Sequence, residues 1–119
     1  MKRITTAFLI GLMVAPAAAN EPEVLGVNVT RNGDGSYRFD VTVRHDDTGW
    51  DHYADKWEIL GPGGAVLATR VLLHPHETEQ PFTRSLPNVR LPAGLTKVTI
   101  RAHDKVHGYG ERTFTVELR

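Results

Sequence analysis

Tyr37-Arg38-Phe39-Asp40-Val41-Thr42-Val43-Arg44 carries an apolar side chain at every second position and a polar one between. In an extended chain successive side chains point to opposite faces, so Tyr37, Phe39, Val41 and Val43 share one face and the charged and hydroxyl groups share the other. A helical repeat would scatter them. This stretch is therefore a strand with one dry face and one wet face. Just before it, Asn32-Gly33-Asp34-Gly35 is built from residues that tolerate positive φ, which signals a hairpin. Upstream of that turn Leu25, Val27 and Val29 alternate with Gly26, Asn28 and Thr30, giving the hairpin its first arm.

The same rhythm continues downstream. A polar loop runs from His45 to Ala54. Lys56 to Leu60 reads as a third strand with Trp57 and Ile59 on one face. Gly61-Pro62-Gly63-Gly64 turns the chain into a fourth strand, Ala65 to Leu73. A loop from His74 to Pro81 leads to a fifth strand, Phe82 to Leu86, followed by a Pro-bounded crossing from Pro87 to Gly94. Val98, Ile100 and Ala102 mark a sixth strand, His103 to Glu111 a loop, and Phe114, Val116 and Leu118 the last strand. Turn signals at intervals of about 8–12 residues, with no helical periodicity between them, predict an all-β fold: a seven-stranded antiparallel sandwich.

Composition narrows the chemistry. The chain has 119 residues, enough for one domain, with 14 basic and 14 acidic side chains. That balance argues against a nucleic-acid partner, which draws a net basic footprint. With no cysteine there are no disulfides, thiolate metal sites or thiol nucleophiles. The mature part has only Ser36 and Ser85 as serine nucleophiles, and neither stands near a histidine in sequence. An enzyme is therefore not the favoured reading.

Residues 1–19 read as a secretory signal. Lys2 and Arg3 precede the apolar run Ala7 to Val14, and Ala17-Ala18-Ala19 fits the small-residue cleavage pattern. The run is shorter than the roughly 20 residues of a membrane-spanning helix. The expectation is a bacterial periplasmic protein whose domain begins at Asn20 and extends through residue 119, with no membrane insertion of the mature chain and no lipid anchor on a cysteine.

Seven short strands with Trp57 on the third resemble the immunoglobulin or fibronectin type III sandwich. The residues carrying the resemblance are Tyr37 to Val43, Trp57 and Val98 to Ala102. The antibody-type cysteine pair is absent, which implies the disulfide-free relatives. The resemblance implies a fold and no activity, because this architecture hosts many functions. Small periplasmic copper carriers are also similar in size and sandwich architecture, although this chain lacks a histidine at the predicted mature N-terminus.

Strand direction reverses at each connection of such a sandwich, so loops alternate between its two ends. The second, fourth and sixth loops then share one end. They hold His45, His52, His74, His76, His103 and His107, every histidine in the chain. His74-Pro75-His76 is the sharpest local motif, because Pro75 biases His74 toward extended backbone and residues two apart face the same side. His74 and His76, joined by His52, His103 and His107, are the candidate ligands for a transition metal; imidazoles without thiolates suit copper or zinc. His45 continues the inward parity of Val41 and Val43 and also reads as a core-edge histidine. Asp104 also reads as a residue that simply closes a turn. The alternative use of the same end is a surface for a ligand or a periplasmic protein partner, built from Trp50, Asp51, Tyr53, Glu79 and Tyr109.

Overall fold

The computed structural model describes residues 20–118, so the segment read as a secretory signal lies outside the described residues. Eight strands follow in order: β1 (Glu23–Arg31), β2 (Tyr37–Arg44), β3 (Ala54–Leu60), β4 (Val66–Val71), β5 (Phe82–Val89), β6 (Lys97–Asp104), β7 (Gly108–Tyr109) and β8 (Phe114–Glu117). One sheet has the order β1-β2-β5. The second has the order β4-β3-β6-β7, with β8 also paired to β6. Every pairing is antiparallel. The all-β sandwich is thus as expected, and β2 has the predicted bounds.

Among the described residues the strand count is eight, not seven. The additional strand is the two-residue β7, which folds back on β6 through His103↔Tyr109 and Asp104↔Gly108. The segment from His103 to Glu111 is correspondingly not all loop, because β6 continues through Asp104. β5 also runs on to Val89, through part of the segment read as a crossing. It pairs only with β2, so it is an edge strand, where Pro87 removes no ladder hydrogen bond that a neighbour needs. The register slips there between Tyr37↔Val89 and Phe39↔Leu86, and Asn88 takes a φ of 57° at the irregularity.

The core lies between the sheets and is made by the inward rows of the strands. Phe39, Val41 and Val43 of β2 and Phe82 of β5 face Trp57 and Ile59 of β3 and Val98, Ile100 and Ala102 of β6; all are buried. Burying each such side chain contributes about 1.5–3 kcal/mol. Two of these rows run on past their last hydrocarbon. On β2 the row Phe39, Val41, Val43 is continued by His45, and on β6 the row Val98, Ile100, Ala102 ends in Asp104. Both polar side chains are wholly buried. The core is therefore closed at this end by an ionisable pair from opposite sheets.

The segment from Pro22 to Val24, leading into β1, is pinned beside the β7–β8 connection. Val24 donates its N–H to Arg112 O at 3.0 Å, and Gly110 sits so close to the backbone of Pro22 that a Cβ would lie 1.9 Å from Pro22 O. Backbone cannot swing aside as a flexible side chain can. Gly110→Ala is expected to cost about 1–3 kcal/mol by overpacking, read as a lower midpoint in urea unfolding; an unchanged midpoint would mean that this crossing is not held in solution.

Candidate metal centre

His45 occupies the middle of the buried end. Its Nδ1 is 2.6 Å from Asp47 Oδ1 and its Nε2 is 3.0 Å from Asp104 Oδ2. All three side chains are fully inaccessible. Asp47 is held by three donors: besides His45 Nδ1, the Ala54 N–H donates to Oδ1 at 3.0 Å and the His76 N–H donates to Oδ2 at 2.6 Å. The backbone N–H of His45 donates to Gln80 Oε1, and Gln80 Nε2 returns a bond to His76 O. The second and fourth loops are thus tied together through Asp47 and Gln80.

Asp104 is aimed by its own turn. Oδ1 accepts the N–H groups of Val106 and His107 at 2.7 and 2.5 Å, which leaves Oδ2 directed at the histidines. Burial alone would raise the Asp104 pKa. The N–H groups of His107 and Val106, with the side chains of His107 and His45, outweigh it and hold the carboxyl below its ordinary value of 3.8. Asp104 is therefore an ionised carboxylate inside the core.

His52 reaches the same oxygen from the β2–β3 connection. A tight turn places it: Thr48 N–H bonds to His52 O, His52 N–H bonds to Gly49 O, and Gly49 adopts a φ of 145° that disfavours a side chain. His52 Nε2 is 3.5 Å from Asp104 Oδ2 and is buried without a hydrogen-bond partner. One ligand atom from each of His45, His52 and Asp104 lies within 4.8 Å of the others, so the three can hold a metal ion. His107 stands at the rim, its Nδ1 3.2 Å from Asp104 Oδ2 and its ring 4.9 Å from that of His52.

Proton bookkeeping adds a constraint. A neutral imidazole has a single N–H, yet His45 lies between two carboxylates. One ring N–H can serve only one of the two carboxylates, and the contact between the other nitrogen and its carboxylate oxygen is a place where a cation fits. Ligands about 2.1 Å from a tetrahedral ion stand about 3.4 Å apart, and the separations of 3.0 and 3.5 Å from Asp104 Oδ2 bracket that spacing. A carboxylate on the far nitrogen of a metal-ligating histidine fixes its tautomer and raises its basicity, and Asp47 stands in that position relative to His45.

The histidines named from sequence fall into three groups. His52 and His107 join His45 around Asp104. His74 and His76 form a separate pair, rings 4.7 Å apart, with His74 exposed and His76 stacked on Phe82 at 4.0 Å and 9°. His103 lies on the opposite side of β6 from Asp104, where its Nδ1 meets Asp55 Oδ1 at 2.7 Å. Sequence reasoning placed neither His45 nor Asp104 among the ligands. The signal that could have found them is the inward parity of β2 and β6, carried one step past the last apolar residue.

The proposed contact residues are also divided. Trp50 is 64% exposed and meets Tyr53 edge-on at 5.6 Å, while Tyr53 itself is buried. Asp51 is exposed at the same turn, and Glu79 is exposed but paired with Arg84 at 3.0 Å. Tyr109 is fastened to the outer face of the second sheet, its hydroxyl donating to Glu58 and its ring 3.6 Å under the Arg101 guanidinium. Burial pushes the Glu58 carboxyl up, and Arg101, Lys56 and Tyr109 more than offset that.

No protein-family model matches this chain, and no solved structure matches it. A protein of Halomicrobium mukohataei named "Putative lipoprotein" is 42% identical over 97 residues, which is 82% of this chain. The chain spans about half of that relative, 47% of its length.

Proposed function

We propose that this chain is a transition-metal-binding domain that works outside the cytoplasm. It holds a divalent ion, zinc or copper(II), between His45 Nε2, His52 Nε2 and Asp104 Oδ2, with His107 at the open side. The observation that carries this reading is the buried His45, placed between two carboxylates with a partnerless His52 nitrogen beside them. A divalent ion would satisfy all three groups at once, and imidazole with carboxylate is a ligand set that suits these metals. The extracytoplasmic setting is supported by the secretory reading of residues 1–19 and by the name of the 42% identical relative. The periplasm is the compartment we assign. The sheet β1-β2-β5 and the pairing of β3 and β8 with β6 support an immunoglobulin-like scaffold, in which strands one, two and five share one sheet and three, six and the last share the other; β4 here pairs with β3 rather than joining the first sheet.

His52→Ala is the cleanest probe, because its Nε2 makes no hydrogen bond in the fold and Asp104, the group it faces at 3.5 Å, keeps the N–H groups of Val106 and His107. Chelator-stripped protein titrated calorimetrically with zinc and copper(II) should bind one ion. His52→Ala should weaken binding at least about tenfold, roughly 1.4 kcal/mol, with no loss of thermal stability in the metal-free state. His74→Ala with His76→Ala should leave that affinity unchanged. Wild type that binds neither ion, or an affinity indifferent to His52, overturns the assignment.

A further inference from the structure

We propose a second, separate ligand site: the cleft between β4, the β4–β5 connection and β5 binds a phosphate-type tetrahedral oxyanion through His76, His74, Arg70 and Arg84. The cleft has a volume of about 80 Å³, and Leu72 and Leu73 complete its lining. The cleft is small and open on one side, room for one small polyatomic group seated against its polar lining. Its polar lining is entirely cationic or hydrogen-donating, with no carboxylate among the lining residues.

His76 is the central element. It is only 5% exposed, and neither ring nitrogen has a hydrogen-bond partner. Its orientation is fixed by the Phe82 stack, by its N–H on Asp47 and by its carbonyl on Gln80. Nδ1 lies 3.8 Å from Asp47 Oδ2, so Nε2 is the atom left for a ligand. A buried polar atom without a partner calls for one.

The neighbouring groups select an anion. Arg70 uses Nε on Ser85 O and Nη1 on Val71 O, which braces the guanidinium and leaves Nη2 uncommitted among the described residues. Arg84 is held by Glu79 and lies 5.7 Å from the centre of the Phe82 ring that carries His76. His74 Nδ1 is engaged with Pro75 O at 3.0 Å, so its Nε2 is the free nitrogen. Arg84 gives both terminal nitrogens to Glu79, so the donors open to a ligand are Arg70 Nη2 and the two imidazole Nε2 atoms, which match an acceptor with three oxygens. Burial and the positive charge of Arg84 and His74 hold the His76 imidazole below its ordinary value of 6.5, against Asp47 and Glu79, in keeping with a positive field in the cleft. A metal fits less well: among the described residues the three-ligand cluster lies at His45, and His74 and His76 acquire no third ligand.

The site does not depend on the metal reading, and chelator-treated protein separates the two. Imidazole ring signals are followed by long-range 1H–15N spectra during titration with inorganic phosphate at constant ionic strength. A saturable shift of the His76 ring is expected, with a dissociation constant of roughly millimolar or lower. Arg70→Met should weaken it at least about fivefold, whereas Arg90→Met, which breaks an exposed pair with Asp34 in the distant β1–β2 turn, should not. A parallel titration with glycerol phosphate identifies the source: equal affinity means a phosphate monoester is accepted, and no shift means the free ion is the ligand. A His76 ring unmoved by either anion overturns the proposal. So does a shift that is identical in the Arg70 and Arg90 variants, or stoichiometric zinc moving the His74 and His76 rings together.

Discussion

His45→Ala is expected to destabilise the domain by about 3–5 kcal/mol even when no metal is present, because it leaves buried carboxylates without their shared counter-group. Asp47 and Asp104 have no exposed side-chain surface, and each faces one nitrogen of His45. Remaining N–H donors keep both carboxylates partly satisfied: Ala54 and His76 for Asp47, Val106 and His107 for Asp104. These four are backbone donors; Asp104 also keeps the His107 ring at 3.2 Å, whereas Asp47 loses the one side chain hydrogen-bonded to it. In a domain of this size each kcal/mol moves the thermal midpoint by about 4–8 °C, so a fall of more than about 12 °C is expected in chelator. His45→Gln restores one donor and should recover part of the loss. The same Ala variant should bind neither zinc nor copper(II). A midpoint within a degree or two of wild type would mean that the charged cluster is looser or wetter than its burial indicates.

Trp57→Ala should be equally severe, about 3–5 kcal/mol, because it opens a large cavity between the sheets. Trp57 is completely buried in the middle of β3, against inward residues of both sheets. Trp57→Phe should cost far less than Ala. The indole Nε1 is buried with no acceptor, and an unpaired donor costs about 1–3 kcal/mol; Phe removes that liability while keeping most of the ring. Urea unfolding of the two variants side by side tests this. If Phe and Ala cost the same, the indole N–H has an acceptor in solution.

These two positions differ in how readable they were. Trp57 stands in an alternating segment between turn residues, so its burial follows from local pattern. The hairpin at Asn32 to Gly35 was equally local: Asp34 accepts bonds from the N–H and hydroxyl of Ser36, and Gly35 has a φ of 88°. The missed strand β7 has two residues, too few for a period to register, and exists because β6 offers it an edge. The end of β5 was missed because Pro87 normally stops a strand, and only its place at the sheet edge permits it to continue.

The candidate site shows the same division. Gathering the histidines on one end followed from alternating strand direction, and the contacts among them agree: His45 meets His52, His52 meets His107, and Asp47 joins His45 to the backbone of His76. Which of them share a centre did not follow. His74-Pro75-His76 drew attention because its members are adjacent in sequence, yet they form a cationic cleft of their own.

The sequence by itself determined an all-β chain with one dry face per strand, since side-chain alternation and turn chemistry act between residues a few positions apart. It also determined that imidazoles would collect where the second, fourth and sixth connections meet. Only the tertiary structure decided that His45, His52 and Asp104 converge. His45 and Asp104 are 59 residues apart and end the inward rows of two different sheets. Their distance is set by how those sheets stack, a quantity no local pattern contains.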